Sequence, residues 1–493
     1  MRRPQRVTQI NWNLVIPVIC GALLSTAAGM LICAAVATVA ADGQTLTFLV
    51  PAALVGPAAL LGLRRGRQLG AQPLIRARDG FLAVTLSWLL AACVGAAPFL
   101  LAGTFSSPIA AYFEAMSGFT STGATLIDVV EQQPKSVLLW RSITQYLGGV
   151  GIVVLVVAIA PAAGMAAQRV FYAEISGVAD RFTPRIAETA KIILALYATL
   201  TVAGFFAFWA AGMSAWDAVN HIFTTVSTGG FSTWTTSIGH FDSVVIELAV
   251  IAFMAASGVN FALYWKAMRG HDLRPQIAEV RVYALMLLVG TLLLTASLML
   301  AGHYPWKDSV RYAAFAATAL QTGTGFVAAD FDVWPHFARA MLLAVMIIGG
   351  CAGSTTGGIK VLRAMLLWKT AQQEVSRQLQ PKSVQVLRAG GQIYPDDVRR
   401  NVLGFIYIFG LVICAGTLAL TATGLDLISA FTAALACVTV VGSGLGDVGP
   451  TENFAAVSGS GQIILSMLML IGRLEIFTVL VIFTPLFWRR HGN

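Results

Sequence analysis

Long apolar runs without charge constrain the fold of this chain more than any other feature of its sequence. No charged residue occurs between Leu14 and Ala41, and runs of similar character recur along the whole chain. A helix that crosses the hydrocarbon core of a bilayer needs about 20 apolar residues. Only 11% of the residues are charged, against about 25% in an average soluble domain. The sequence therefore predicts an all-α polytopic membrane protein.

Ten full crossings are predicted from these runs, and the charges between them indicate the orientation. The spans lie near residues 14–40, 46–63, 80–103, 137–160, 187–212, 241–266, 278–302, 338–368 (interrupted), 401–422 and 460–487. Lys and Arg concentrate on one side, in residues 64–78, 169–185, 266–281, 369–400 and 488–490. Basic connections stay cytoplasmic, so we expect a multi-pass protein with cytoplasmic N- and C-termini. The net charge of +9 then reflects topology and contact with the lipid bilayer. No nucleic-acid binding is expected.

Four connections on the opposite side contain apolar segments that are too short to cross the membrane. They read "PIAAYFEAMSGFTSTGATLID", "AWDAVNHIFTTVSTGGFST", "SVRYAAFAATALQTGTGFVAAD" and "DLISAFTAALACVTVVGSGLGDVG". Each short apolar stretch is followed by a cluster of Thr, Ser and Gly and then by an acidic return, which is typical of a re-entrant helix. Alignment of the four segments makes Gly123, Gly230, Gly325 and Gly442 equivalent. Their spacing of about 100 residues indicates an internal repeat.

The number of crossings in each repeat predicts how the repeats are arranged. Each has two full crossings, so all four enter the membrane in the same direction, unlike the inverted repeats of many secondary transporters. We therefore predict four parallel, K⁺-channel-like M1-P-M2 repeats in a pseudo-fourfold ring, preceded by an N-terminal helix pair. The predicted boundaries are 1–76 for the helix pair, then 77–168, 169–270, 271–380 (with an interrupted inner helix) and 381–493 for repeats one to four.

The glycine-bearing segments have a composition suited to an ion pore. Non-helical backbone at membrane depth is tolerated only where it is buried in protein or lines water. Four such segments meeting on one axis would form a ring of carbonyls, which replaces the hydration shell of a monovalent cation. The C-terminal ends of the re-entrant helices would add negative dipole ends. Four ordinary Thr/Gly-rich loops are the alternative, but their recurrence on one face favours a pore.

Several motifs also resemble the TrkH/KtrB superfamily of bacterial potassium uptake proteins. They are "STGAT", "STGGF", "LGGVGIVVLVVAIAP", "GGCAGSTTGGIK" and "GRLEIFTVLVIFTPLFW", and the resemblance runs from about Arg78 to the C-terminal end. It implies transport of K⁺ across the bacterial inner membrane by a homodimer regulated by a TrkA-like cytosolic nucleotide-binding subunit. No nucleotide is expected to bind this chain itself. The alternatives are a less selective K⁺/Na⁺ transporter of the KtrB type and, in another class, a secondary solute transporter.

The resemblance implies a selectivity filter with one central glycine in each repeat. By motif position, the filter residues are Ser121, Thr122, Gly123, Ser227, Thr228, Gly229, Gly230, Gly323, Thr324, Gly325, Val440, Val441 and Gly442. K⁺ is expected at Thr122, Gly123, Thr228, Gly230, Thr324, Gly325, Val441 and Gly442. Two segments depart from the family pattern: "QTGTGF" has a glycine where a hydroxyl residue is expected, and "VVGSG" lacks the Asn and Pro frequent in relatives. With no tyrosine in the filter, we expect looser K⁺/Na⁺ discrimination than in TVGYG channels.

The stretch "GGCAGSTTGGIK" interrupts an apolar span that neither of its halves completes alone. The break therefore falls near the middle of the bilayer, below the filter, where we expect a gate that obstructs permeation. The predicted gate residues are Gly349, Gly350, Gly353, Ser354, Thr355, Thr356, Gly357, Gly358, Lys360 and, from the last crossing, Arg473. The motif is not a phosphate-binding loop, because Ile359 separates Gly358 from Lys360.

Arg473 and Glu114 each have two possible roles. An Arg at the centre of a span costs at least about 2.5–3.5 kcal/mol on insertion scales, so Arg473 must face protein or water. It either ties helices together or projects into the pore, and the resemblance favours the pore. Glu114 is either a buried hydrogen-bond acceptor or an attractor of cations. No nucleophile, base and orienting group occur together, so an enzyme is not expected.

Overall fold

The computed structural model describes residues 10–68, 77–159, 186–270, 272–380 and 386–488, which are mostly helical. The N-terminal pair is α1 (Trp12–Ala40) and α2 (Thr45–Gln68). Repeat one contains α3 (Ala77–Gly95), α4 (Ala97–Leu101), α5 (Pro108–Phe119) and α6 (Lys135–Ile159). Repeat two contains α7 (Ile186–Ala210), α8 (Ala215–Val226), α9 (Val244–Ser257) and α10 (Phe261–Met268). The predicted boundary at 168/169 and the basic residues near it lie outside the described residues.

Repeats three and four complete the chain. Repeat three contains α11 (Arg274–Leu300), α12 (Trp306–Gln321), α13 (His336–Ile348) and α14 (Val361–Leu379). Repeat four contains α15 (Asp396–Thr421), α16 (Leu427–Thr439), α17 (Gly459–Arg473), α18 (Phe477–Leu480) and α19 (Pro485–Trp488). A short antiparallel hairpin, β1 (Leu387–Ala389) and β2 (Gln392–Tyr394), precedes α15 and pairs Leu387 with Tyr394.

Six helices in the described part of the chain are long and apolar enough to cross a membrane, or up to eight if two bent helix pairs are each one span. The bent pairs are α9 with α10, at 87°, and α17 with the segment 477–483, at 112°. We predicted an interruption only in the span 338–368, and the structure adds these two. Asn260 accepts a hydrogen bond from the Ala262 amide and so starts a new helix after the first bend. At the second bend the backbone φ angles of Glu475 and Ile476 are positive, at 58° and 49°.

The re-entrant helices are α5, α8, α12 and α16, and three of them begin at residues that favour helix starts. Pro108 occupies the first turn of α5, where its missing amide hydrogen is not needed. The hydroxyl of Ser214 accepts a hydrogen bond from the Asp217 amide at the start of α8. The carboxylate of Asp426 accepts two amide hydrogen bonds at the start of α16. The remaining re-entrant helix, α12, follows Pro305 and has no side-chain cap.

The four short helices pack in a closed cycle. In each repeat we call the long helix before the re-entrant helix the outer helix (α3, α7, α11, α15) and the helix after it the inner helix (α6, α9, α13, α17). Each re-entrant helix lies against the outer and inner helices of its own repeat and also against the inner helix of the preceding repeat. The contacts with the preceding repeat join α5 to α17, α8 to α6, α12 to α9, and α16 to α13. Since repeat one contacts repeat four in the same way as the others contact their neighbours, the packing supports the predicted parallel, pseudo-fourfold arrangement.

Candidate functional site

The four re-entrant helices end in the same backbone turn. Two residues before each glycine, the backbone is left-handed, with φ of 56° at Ser121, 54° at Thr228, 71° at Gly323 and 60° at Val440. A left-handed residue commonly terminates a helix, and the amide after it then bonds back to the last turn. Here the Thr122 amide donates to the Ser117 carbonyl at 2.8 Å, and the Gly229 amide donates to Thr224 at 2.8 Å. The turn therefore exposes the following residues as non-helical backbone.

This turn explains the departure of the third segment from the family pattern. In "QTGTGF" the unexpected glycine is Gly323, which occupies the left-handed position that Ser, Thr and Val fill in the other repeats. Glycine has no Cβ and adopts φ near 70° without steric penalty. The substitution thus suits the backbone that all four segments share.

The predicted filter glycines form a closed ring. Each has a positive φ, and a Cβ added to it would collide with the carbonyl oxygen of the residue before the glycine of the next repeat. The pairs are Gly123 with Gly229, Gly230 with Thr324, Gly325 with Val441, and Gly442 with Thr122. Side chains are thereby excluded from all four positions, and four carbonyl-bearing segments are brought together around one axis.

An open cavity lies on the side of the ring formed by the loops that follow the four glycines. All four glycines line it, together with residues of the outer loops that include Ser443, Glu452 and Asn453. Beside the cavity, Glu131 accepts hydrogen bonds from the Thr235 hydroxyl at 2.6 Å and from the Thr235 amide at 3.0 Å, joining the outer loops of repeats one and two. The hydrogen bond from the Thr235 hydroxyl lowers the pKa of the Glu131 carboxyl, which stays ionised at neutral pH.

Residues 349–360, which interrupt the span and which we call the intramembrane loop, pack against the C-terminal ends of the re-entrant helices. Its Thr355 hydroxyl donates to the Val226 carbonyl at 3.1 Å. Gly357 lies so close to the Thr439 carbonyl that no side chain would fit there. The loop therefore lies directly beneath the ends of the helices that carry the ring.

The loop is also bonded to the bend in repeat two. The Cys351 amide donates to the Gly258 carbonyl at 2.9 Å, and the Phe261 amide donates to the Gly353 carbonyl at 3.2 Å. The buried carboxylate of Glu279 accepts a hydrogen bond of 2.7 Å from the Ala352 amide. Sequence reasoning missed these partners, although an acidic residue at the start of an apolar span was a signal for Glu279.

The two predicted gate cations, Lys360 and Arg473, donate hydrogen bonds to carbonyl and hydroxyl oxygens rather than to carboxylates. The Lys360 ammonium donates to the Thr356 carbonyl and hydroxyl in the same loop. The Arg473 guanidinium donates to the Thr355 carbonyl at 2.7 Å and to the Gly148 carbonyl at 3.2 Å, and it also lies 3.4 Å from the Ser121 hydroxyl. Arg473 therefore joins the last inner helix, the loop and repeat one, beneath the ring.

Glu475 and Glu114 each pair with another arginine. Glu475 forms an ion pair of 2.7 Å with Arg363. Glu114 is fully buried and forms an ion pair of 3.0 Å with Arg141. It also accepts hydrogen bonds from the Thr125 hydroxyl and the Leu126 amide, just beyond the first filter glycine. Of the two roles considered for Glu114, these contacts support the buried acceptor.

Similarity to known proteins agrees with this geometry. A family model named TrkH, described as a cation transport protein, matches residues 67–489. The Trk system potassium uptake protein TrkH of Vibrio parahaemolyticus is 40% identical over 423 residues, which are 84% of this chain and 87% of that protein. The protein of the same name from Halomonas elongata is 39% identical over 456 residues, or 91% and 94% of the two chains.

The fold matches a solved transporter as well. The crystal structure of the potassium transporter TrkH from Vibrio parahaemolyticus aligns with a TM-score of 0.88 at 35% sequence identity. The alignment covers 97% of this chain and 100% of that one. The chain therefore belongs to the TrkH family of cation transport proteins, which are membrane transporters and not enzymes.

Proposed function

We propose that this chain takes up K⁺ across the bacterial inner membrane through a central pore. The observation that carries the proposal is the closed ring of Gly123, Gly230, Gly325 and Gly442, each abutting a carbonyl of the next repeat. Such a ring offers oxygen ligands to a dehydrated monovalent cation. The names of the relatives, which are potassium uptake proteins, support K⁺ as the cation transported.

In this proposal the chain is divided as its sequence suggests, into an N-terminal helix pair and four repeats. The ion is held by the backbone of the glycines and of the residues before them, from Ser121 to Gly123 and at the equivalent positions of the other repeats. Because these ligands come from short turns with one central glycine each and no tyrosine, we expect weaker exclusion of Na⁺ than in TVGYG channels. Ser443 and the ionised Glu131 lie on the outer side, where cations would enter.

The gate of this pore is the intramembrane loop together with Arg473. The loop lies beneath the ring, and Arg473 adds a positive charge that is bonded to the Thr355 carbonyl. A cation leaving the ring would meet both. Opening requires the loop to withdraw, which breaks its hydrogen bonds to Gly258, Phe261 and Glu279. Glu279 is thus a positioning residue that holds the loop in its closed place.

Regulation is assigned to a partner, because the family resemblance implies a cytosolic nucleotide-binding subunit and no nucleotide is expected to bind this chain itself. We propose that two copies of this chain bind a TrkA-like cytosolic subunit that carries the nucleotide sites. The segment 372–400 is the proposed contact, and it includes the hairpin formed by β1 and β2. This orientation keeps the N- and C-termini in the cytoplasm, as the distribution of Lys and Arg favours.

The main alternative is a less selective K⁺/Na⁺ transporter of the KtrB type. It uses the same ring and differs only in how strongly Na⁺ is excluded. Reversal potentials measured in K⁺/Na⁺ mixtures distinguish the two, since a K⁺ uptake protein gives a potential that follows the K⁺ gradient. A secondary solute transporter is disfavoured by the parallel repeats.

Uptake of Rb⁺, a K⁺ congener, by cells that lack their own K⁺ uptake tests the proposal. Gly123→Ala is expected to abolish uptake, because the new Cβ would collide with the Gly229 carbonyl. Gly302→Ala is the matched control: its φ of 65° is also left-handed, but its surroundings are open. Normal uptake by Gly123→Ala, or no uptake by the unmodified chain, would overturn the proposal.

A further inference from the structure

One side chain of repeat one, that of Gln145, hydrogen-bonds to the residues on both sides of Gly230, the predicted filter glycine of repeat two. The amide nitrogen Nε2 of Gln145, on α6, donates to the Gly229 carbonyl at 2.7 Å. Its oxygen Oε1 accepts a hydrogen bond from the Phe231 amide at 3.0 Å. Gln145 is fully buried. The nitrogen and the oxygen of the Gln145 side chain therefore bind the two residues that flank Gly230.

A second side chain extends this contact by one residue. Arg141 lies one helical turn before Gln145, and its Nη1 donates to the Ser232 carbonyl at 2.9 Å. Its guanidinium also stacks on the Phe231 ring, with 4.1 Å between its central carbon and the ring centroid. The ion pair with Glu114 holds Arg141 in this position. Two residues of one helix face thus bind three backbone groups of the repeat-two segment.

Repeat four has no glutamine at the corresponding place. Gly472 abuts the Val438 carbonyl in the same way that Gly148 abuts the Phe119 carbonyl, so these two glycines are equivalent. Three residues earlier, repeat one has Gln145 and repeat four has Met469. A thioether donates no hydrogen bond. The carbonyl that Gly442 abuts is that of Thr122 in repeat one, just as Gly123 abuts that of Gly229 in repeat two. The Thr122 carbonyl therefore receives no donor from position 469.

We propose that Gln145 is a positioning residue that sets the K⁺/Na⁺ selectivity of the pore by holding the Gly229 carbonyl. This inference rests on the proposed function. The hydrogen bond from Nε2 fixes the carbonyl in place and engages one of its lone pairs. A carbonyl that is held cannot move inward to meet the smaller Na⁺ ion, so K⁺ is favoured. The bond to the Phe231 amide keeps the glutamine itself from rotating.

Two substitutions separate the donor from the rest of the side chain. Gln145→Met copies repeat four and removes both hydrogen bonds. Gln145→Glu keeps the shape and the acceptor for the Phe231 amide, and at a pH above the pKa of the new carboxyl it has no donor for the Gly229 carbonyl. Gln462→Met is the control, because Gln462 also donates to a backbone carbonyl, that of Val457 at 3.0 Å, on an inner helix but away from the ring.

The experiment is the reversal potential of purified, reconstituted protein in K⁺/Na⁺ mixtures. We expect both Gln145 variants to conduct K⁺ with a permeability ratio lowered on the order of tenfold, and Gln462→Met to keep the ratio of the unmodified chain. An unchanged ratio in either conducting Gln145 variant overturns the inference. If neither variant assembles, the selectivity role is rejected in favour of a structural one. Failure of the unmodified chain to conduct K⁺ would instead refute the proposed function.

Discussion

The Arg473 guanidinium donates a 2.7 Å hydrogen bond to the Thr355 carbonyl, so that the last inner helix and the intramembrane loop form one unit. The two residues are 118 positions apart in the chain. Arg473 has no acidic partner among its hydrogen-bonding contacts in the described residues, and the nearby Glu475 pairs with Arg363. The guanidinium therefore has no carboxylate bound to it beneath the ring, and in the proposed pore its positive charge would oppose the passage of cations.

Neutralising Arg473 should increase ion flux in the absence of the cytosolic partner. Arg473→Gln removes the charge and weakens the hold on the loop, and we expect partner-independent Rb⁺ flux to rise on the order of tenfold. Flux from liposomes containing purified protein measures this directly. Arg339→Gln is the control, since Arg339 pairs with Asp332 on the outer side. Unchanged flux with a lower thermal stability would show that Arg473 only ties helices together.

Removing the carboxylate of Glu279 should free the loop. Glu279→Ala leaves the Ala352 amide without its acceptor, which costs about 1–3 kcal/mol for a buried group. We expect faster amide hydrogen exchange in residues 349–360 and higher partner-independent flux. Glu279→Gln keeps an oxygen acceptor at the same place and should behave nearly like the unmodified chain. Equal exchange rates in the Ala and Gln variants would contradict this role.

The two glycines of the third segment should differ in their tolerance of a side chain. Gly323→Ser introduces the residue that Ser121 supplies in repeat one, and the added Cβ would lie 3.3 Å from the Val440 carbonyl oxygen, so partial K⁺ uptake is expected. Gly325→Ser places its Cβ against the Val441 carbonyl and should abolish uptake. Rb⁺ uptake at matched membrane abundance compares them. Equal activity of the two variants would argue against the ring as the site of permeation.

The buried pair of Glu114 and Arg141 should contribute strongly to stability. Glu114→Gln leaves a buried arginine without its counter-ion, for which a loss of about 3–5 kcal/mol is typical. We expect a clear drop in the thermal unfolding midpoint of the protein in detergent. Asp272→Asn is the control, because Asp272 and Arg274 are exposed and 4.0 Å apart, and such pairs contribute less than about 1 kcal/mol. A similar, small change in both variants would contradict the prediction.

Much of the ring could be predicted from sequence because its signal is local. Each filter glycine follows a short apolar segment and a cluster of small polar residues, and the repetition aligns Gly123 with Gly230, Gly325 and Gly442. The intramembrane loop could be predicted for the same reason, because a local cluster of small and polar residues interrupts an apolar span. Gly323 departs from the residue type expected at its position, but it has the same left-handed backbone as Ser121 and Val440. The sequence does not reveal this likeness, because Ser121 and Val440 adopt that backbone without being glycine.

The contacts between repeats could not be predicted in this way. Gln145 is a polar residue in an apolar helix, and nothing near it in sequence points to Gly229, which lies 84 positions away. The bend at 258–260 has its hydrogen-bond partner in the next repeat, where the Cys351 amide donates to the Gly258 carbonyl. The sequence near the bend does not indicate this partner. Such pairings depend on which repeats become neighbours, and the order of neighbours follows from the closed packing of the helices.

The contact between Gly442 and the Thr122 carbonyl joins the last repeat to the first. During synthesis, repeat one enters the membrane well before Gly442 leaves the ribosome. Until repeat four is inserted, the edge of repeat one that carries Thr122 has no neighbour, and the oxygen ligands cannot surround an ion. In the proposed pore, the conduction pathway is therefore finished in one late step of biogenesis, and a chain shortened before residue 442 would lack a complete ring.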